Sequence, residues 1–92
     1  MLEVIVSSKC KRDIRKASRR GKNMDKFGTV VNTLANQESL GVRHHDHALG
    51  GDYVGTRECH IEPDWLLVYK IDSNATELRL MRTGTHADLF GK

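Results

Sequence analysis

The chain opens on Leu2-Glu3-Val4-Ile5-Val6, a β-branched run that predicts a short strand, and Ser7-Ser8 follow with hydroxyls suited to cap a helix. From Lys9 to Arg20 the apolar positions are Cys10, Ile14 and Ala17, a spacing that lays a narrow stripe along one helix face. Gly21-Lys22-Asn23 ends that pattern with a C-terminal glycine and a new Asn cap. Met24, Phe27, Val31 and Leu34 then recur at helical period. So short a turn forces the two helices to run roughly antiparallel, as a helical hairpin.

Residues 37–52 are polar, contain glycine and show no period, so they predict a loop, and they hold His44, His45 and His47. Tyr53–Glu62 alternates, with Tyr53, Arg57, Cys59 and Ile61 on one side and Val54, Thr56, Glu58, His60 and Glu62 on the other. Pro63-Asp64 reads as a turn, Trp65–Ile71 as a nearly all-apolar central strand, Asp72-Ser73-Asn74 as a second turn and Glu77–Thr83 as a last strand. Short connections make these three strands an antiparallel meander. The order β-α-α-β-β-β predicts an α+β fold in which the helical hairpin covers one sheet face. Glu58 and His60 would then stand on the other, open face.

Composition limits this picture without altering it. Ninety-two residues, 38% apolar and 29% charged, suffice for one domain, 1–92, with a modest core holding only five aromatic residues. No apolar run approaches the roughly 18–20 residues of a membrane span, so no membrane association is expected. Cys10 and Cys59 lack CxxC spacing and no signal peptide precedes them, which fits reduced thiols and a cytoplasmic setting.

Charge does change the picture. Residues 1–26 carry nine Lys and Arg against three Asp and Glu, whereas residues 27–92 carry six against nine and all five histidines. Lys9, Lys11, Arg12, Arg15, Lys16, Arg19, Arg20 and Lys22 surround the first helix outside its apolar stripe. Such density of one sign is either a solvated face or a surface for a polyanion. With no aromatics interleaved, phosphate contact is expected rather than base stacking.

The histidines suggest chemistry. His47, His60 and His86 each lie at or near a strand end or connection, with Asp46, Glu58, Glu62 and Asp64 beside them and Arg57, Arg79 and Arg82 available to a phosphate. Two imidazoles can act as general base and general acid in cleaving RNA, one taking the 2′-hydroxyl proton and the other protonating the departing 5′-oxygen. A guanidinium would stabilise the charge developing on phosphorus, and no metal or other cofactor is required. Metal binding is the competing reading, because His44-His45-Asp46-His47 with Cys59-His60 offers nitrogen and sulfur for zinc. It lacks paired CxxC or helical HxxxH spacing.

Three segments carry a resemblance: Asp46-His47-Ala48-Leu49-Gly50-Gly51, the run from Arg57 to Lys70 containing His60-Ile61-Glu62-Pro63-Asp64-Trp65, and Arg82-Thr83-Gly84-Thr85-His86-Ala87-Asp88-Leu89-Phe90. At these separations the chain resembles the YafQ branch of the RelE/ParE toxin superfamily from about residue 46 to 90. The resemblance implies a RelE-like fold and a type II toxin that cleaves mRNA in the ribosomal A site and is held inactive by a cognate antitoxin. Carried over by position, it implies His47, His60, Asp64 and His86 as the catalytic set, Arg82 as the active-site arginine and Phe90 as a nearby aromatic. Glu58 stands where some relatives have aspartate, and Ala48 where some have proline. A ParE-like topoisomerase poison would share the fold without needing the histidines.

Overall fold

The computed structural model describes residues 1–91. The elements are β1 (Glu3–Val6), α1 (Ser8–Arg19), α2 (Met24–Ala35), β2 (His47–Ala48), β3 (Arg57–Glu62), β4 (Trp65–Asp72), β5 (Glu77–Gly84) and α3 (His86–Phe90). The helix starts are those the caps dictate: Ser7 Oγ accepts from the Cys10 amide at 3.0 Å, and Asn23 Oδ1 accepts from the Asp25 amide at 3.0 Å. Gly21, at φ +80°, supplies the left-handed residue that ends α1. Lys22 therefore lies beyond the helix.

The five strands form one sheet in the order β1-β5-β4-β3-β2. The meander β3-β4-β5 is antiparallel as its short turns require, and β1 joins β5 in parallel, so the sheet is mixed. The parallel pairing follows from chain path. The helical hairpin returns the chain across the sheet, and Leu2 is fixed to the end of α2 by a 2.8 Å bond from its amide to the Ala35 carbonyl.

Between the hairpin and the sheet lies the larger core. Cys10 and Ala17 of α1 and Phe27, Val30, Leu34 and Ala35 of α2 meet Cys59, Ile61, Trp65, Leu67, Tyr69, Leu78 and Leu80. Trp65 is its largest buried side chain, stacked on Phe27 at a 6.1 Å centroid distance. Its indole N–H donates to Thr83 Oγ1 at 3.0 Å, and that hydroxyl donates to the Leu66 carbonyl at 2.6 Å, so the buried polar atoms are satisfied. Both cysteines are free, and burial pushes each thiol up to about 12.

Several features depart from the expectation. The strand predicted from Tyr53 begins at Arg57, because Gly51–Tyr53 turns as a 3₁₀ segment and Gly55, at φ +89°, breaks the extended path. The loop contains a second 3₁₀ turn at Val42–His44 and the two-residue strand β2. A bulge between His60 and Glu62 rotates Glu62 off the face of Glu58 and His60, and it pairs instead with Lys26 at 3.1 Å and Lys22 at 4.0 Å. The second sheet face is not wholly open. Leu66 and Val68 are covered by Leu89, with Leu49, Tyr53, Met81 and Phe90 packed around them.

Candidate active site

Strand register places the site. Residues His47, Glu58, Val68 and Arg82 are successive partners across β2, β3, β4 and β5, so they form one row on one face of the sheet. Two strand spacings separate Glu58 from Arg82, about 10 Å. The adjacent row is His60, Leu66 and Gly84, and Gly84 leads into α3 and His86.

Within this frame the imidazoles cluster. Glu58, 5% exposed, directs Oε1 to within 3.5 Å of His47 Nε2 and 3.6 Å of His60 Nε2. The opposite nitrogens bond carbonyls: His47 Nδ1 to His45 at 2.6 Å and His60 Nδ1 to Pro63 at 3.3 Å. A carbonyl only accepts, so each Nδ1 carries a proton, and Nε2 is the nitrogen left to exchange one. The His60 and His86 rings meet edge to face at 5.8 Å.

His86 is oriented differently. Its Nδ1 donates to Asp64 Oδ1 at 2.7 Å, and its backbone amide donates to the same oxygen at 3.0 Å. The amide bond first, and then the ring bond, hold the Asp64 carboxyl below the usual carboxylate range. His86 begins α3, whose cap is reciprocal: Thr85 Oγ1 accepts from the Asp88 amide at 3.1 Å and Asp88 Oδ2 accepts from the Thr85 amide at 3.0 Å. Arg20, the C-cap of α1, clamps Asp88 with bonds of 2.6 and 3.2 Å, holding its carboxyl well below the usual range.

The remaining predicted residues divide. Phe90 packs against Tyr53 at a ring distance of 5.6 Å, forming an aromatic wall on this face. Arg82 shares the face, but its Nε and Nη2 are engaged by Asp13 of α1 at 2.7 and 3.2 Å, and this pairing raises its pKa. Of the basic set, Lys16 and Arg20 pair with Asp88, while Lys22 pairs with Glu62 and lies 5.8 Å from the Trp65 ring centre. Lys9, Lys11, Arg12, Arg15 and Arg19 are exposed and make no salt bridge among the described residues.

Sequence reasoning left His44 and His45 outside the catalytic set and named Asp46 only among several carboxylates beside the histidines. His44 Nδ1 bonds the His60 carbonyl at 2.6 Å, and the His45 ring packs edge to face on His60 at 5.4 Å. Asp46 Oδ1 accepts from Tyr69 Oη at 2.6 Å and from Arg57 Nε at 3.2 Å, pinning the loop to the sheet edge. Proximity to His47 in the chain was the available signal. The zinc arrangement does not assemble, because Cys59 lies in the helix-facing core, on the opposite side of the strand from His60. Among the described residues no three His, Cys, Asp or Glu side chains are grouped to hold a metal ion.

The fold has counterparts among known proteins. The mRNA interferase toxin YafQ of Escherichia coli strain K12 is 39% identical over 90 residues, covering 97% of this chain and 96% of that protein. The metal-bound toxin from Helicobacter pylori superposes with a TM-score of 0.93 at 37% identity, covering 98% of this chain and all of that one. YafQ in the E. coli DinJ–YafQ toxin–antitoxin complex superposes with a TM-score of 0.88 at 38% identity over 98% of each chain. A family model described as the bacterial toxin of type II toxin–antitoxin systems, YafQ, matches residues 2–91, and the chain belongs to that family.

Proposed function

We propose that this toxin is a ribosome-dependent endoribonuclease that cleaves mRNA in the ribosomal A site by general acid–base catalysis and is neutralised by a cognate antitoxin. The observation that carries the reading is the Asp64–His86 pair at 2.7 Å, set with its imidazole 5.8 Å from that of His60. A carboxylate on Nδ1 fixes the tautomer and leaves His86 Nε2 for proton transfer. His47 and His60 present the other imidazoles, and Glu58, nearly inaccessible to substrate, orients them both.

In this scheme one imidazole removes the 2′-hydroxyl proton, the freed oxygen attacks phosphorus, and a second imidazole protonates the 5′-oxygen as its bond to phosphorus breaks. Arg82 stands on the same face, and its guanidinium would turn from Asp13 toward the phosphate. The Tyr53–Phe90 wall provides an apolar surface for a base. The ribosome holds the mRNA in place, so free mRNA is expected to be a poor substrate. The E. coli relative is named an mRNA interferase, and its complex with DinJ supports an antitoxin partner here.

The test is expression without antitoxin, with mRNA 5′ ends mapped after induction. New ends within codons on translated messages are expected from the native chain, and their loss from His86→Ala. Retained growth arrest with retained cleavage in His86→Ala overturns the catalytic assignment. Intact mRNA with inhibited DNA supercoiling would instead indicate a topoisomerase poison.

A further inference from the structure

His45 stands apart from the other four histidines. His44, His47, His60 and His86 each commit Nδ1 to a carbonyl or carboxylate, whereas neither ring nitrogen of His45 makes a hydrogen bond among the described residues. It is exposed, yet its ring is seated edge to face on His60 at 5.4 Å. Its backbone is also unusual. At φ +45° it occupies the left-handed region that disfavours a side chain with a Cβ, and in that conformation its carbonyl receives His47 Nδ1 at 2.6 Å. The neighbours on either side fix this geometry, His44 through the His60 carbonyl and Asp46 through Tyr69 and Arg57.

We infer that His45 is a substrate-binding residue, whose free imidazole takes a phosphate of the mRNA next to the bond being cleaved. The inference rests on the ribonuclease reading above. An exposed imidazole with both nitrogens uncommitted, touching a ring of the catalytic cluster, suits an anion that runs past that cluster. A polynucleotide places phosphates at regular intervals on either side of the scissile one. Within the loop the tasks separate: the His45 carbonyl positions His47, and the His45 ring meets the message.

The experiment measures single-turnover cleavage on ribosomes programmed with a defined A-site codon. His45→Asn removes the imidazole but tolerates the left-handed backbone, so the carbonyl can still hold His47. His45→Lys supplies an N–H donor to a phosphate in place of the imidazole. His45→Asn is expected to raise the half-saturating toxin concentration about three- to tenfold with little change in the maximal rate, and His45→Lys to recover most of that loss. Unchanged values for His45→Asn overturn the inference, as does a fall in maximal rate alone, which would mark a positioning role. Equilibrium binding of the native and variant toxins to ribosomes whose mRNA ends before the A site separates the sources of phosphate. Equal weakening there assigns the contact to ribosomal RNA and overturns the mRNA assignment. Failure of the native chain to cleave at all is a different result, because it removes the ribonuclease reading itself.

Discussion

Asp64 Oδ1 receives two hydrogen bonds from His86, one from the ring and one from the backbone. A single oxygen thus fixes both where α3 begins and how its first side chain is turned. The turn between β3 and β4, which carries Asp64, is thereby joined to the start of α3, 22 residues later.

Replacing Asp64 with asparagine tests the orienting half of this relationship. The amide can still accept from the backbone, but it loses the charge that favours a proton on His86 Nδ1. The maximal cleavage rate is expected to fall about 10- to 100-fold with the half-saturating concentration little changed. An altered pH–rate profile in Asp64→Asn would confirm that the defect lies in proton transfer rather than in folding. Asp64 is exposed, so thermal stability should hardly move.

Asp88, much less exposed than Asp64, carries more of the stability. The Arg20 bond, followed by the Thr85 amide, lowers its folded-state pKa below an unfolded value of roughly 4. Its contribution is therefore complete above about pH 4 and is lost as the pH falls through the lowered folded value. Asp88→Asn should cost about 1–2 kcal/mol at pH 7 and reduce the acid dependence of the unfolding free energy, measured by urea denaturation from pH 2 to 7.

Gly84→Ala disturbs the same junction through space rather than charge. A Cβ at Gly84 would sit 2.9 Å from the Asp88 Cβ and 3.0 Å from Oδ2, so the cap must shift. A loss of about 1–3 kcal/mol is expected. Because α3 carries His86, cleavage should fall further than in a surface variant of equal stability, as parallel melting and cleavage measurements would reveal.

Metal removal distinguishes this chemistry from the zinc reading. Toxin treated with a zinc- and copper-selective chelator, then freed of chelator before meeting ribosomes, should cleave at an unchanged rate, because in the proposed scheme the imidazoles alone would transfer the protons, and Cys59 faces the other layer. Loss of activity restored by added metal would reverse the assignment.

The β-α-α-β-β-β order of the main elements, the caps at Ser7 and Asn23, and the face shared by Glu58 and His60 were legible in the chain, because each follows from local periodicity or a local hydrogen bond. The bulge that turns Glu62 away was not, since it depends on how β3 meets β4 across their turn. Nor was the pairing of Arg82 with Asp13, 69 residues apart, where α1 covers the stretch of β5 beyond its pairing with β1. Helix α3 was within reach: it lies just past the predicted last strand, Glu77–Thr83, and Thr85-His86-Ala87-Asp88 is a capping-box pattern. The contacts of His44 and His45 were not legible either, because their partner, the His60 segment, is brought to them only by β2–β3 pairing and the loop that precedes it.

The basic helix yields the last prediction, and the structure divides it. Lys16, Arg20 and Lys22 are bound to Asp88 and Glu62, so their replacement should lower stability more than ribosome binding. Lys11 and Arg15 belong to the exposed, unbridged group, and if that face meets ribosomal RNA they release counterions on binding. Lys11→Gln with Arg15→Gln should leave the melting temperature nearly unchanged while lowering the slope of log K against log salt by about 1–2. The same double variant should act on any mRNA codon alike, because phosphate contacts carry no sequence information. An unchanged slope would mean that this face of α1 is simply solvated and that the ribosome is met by another surface.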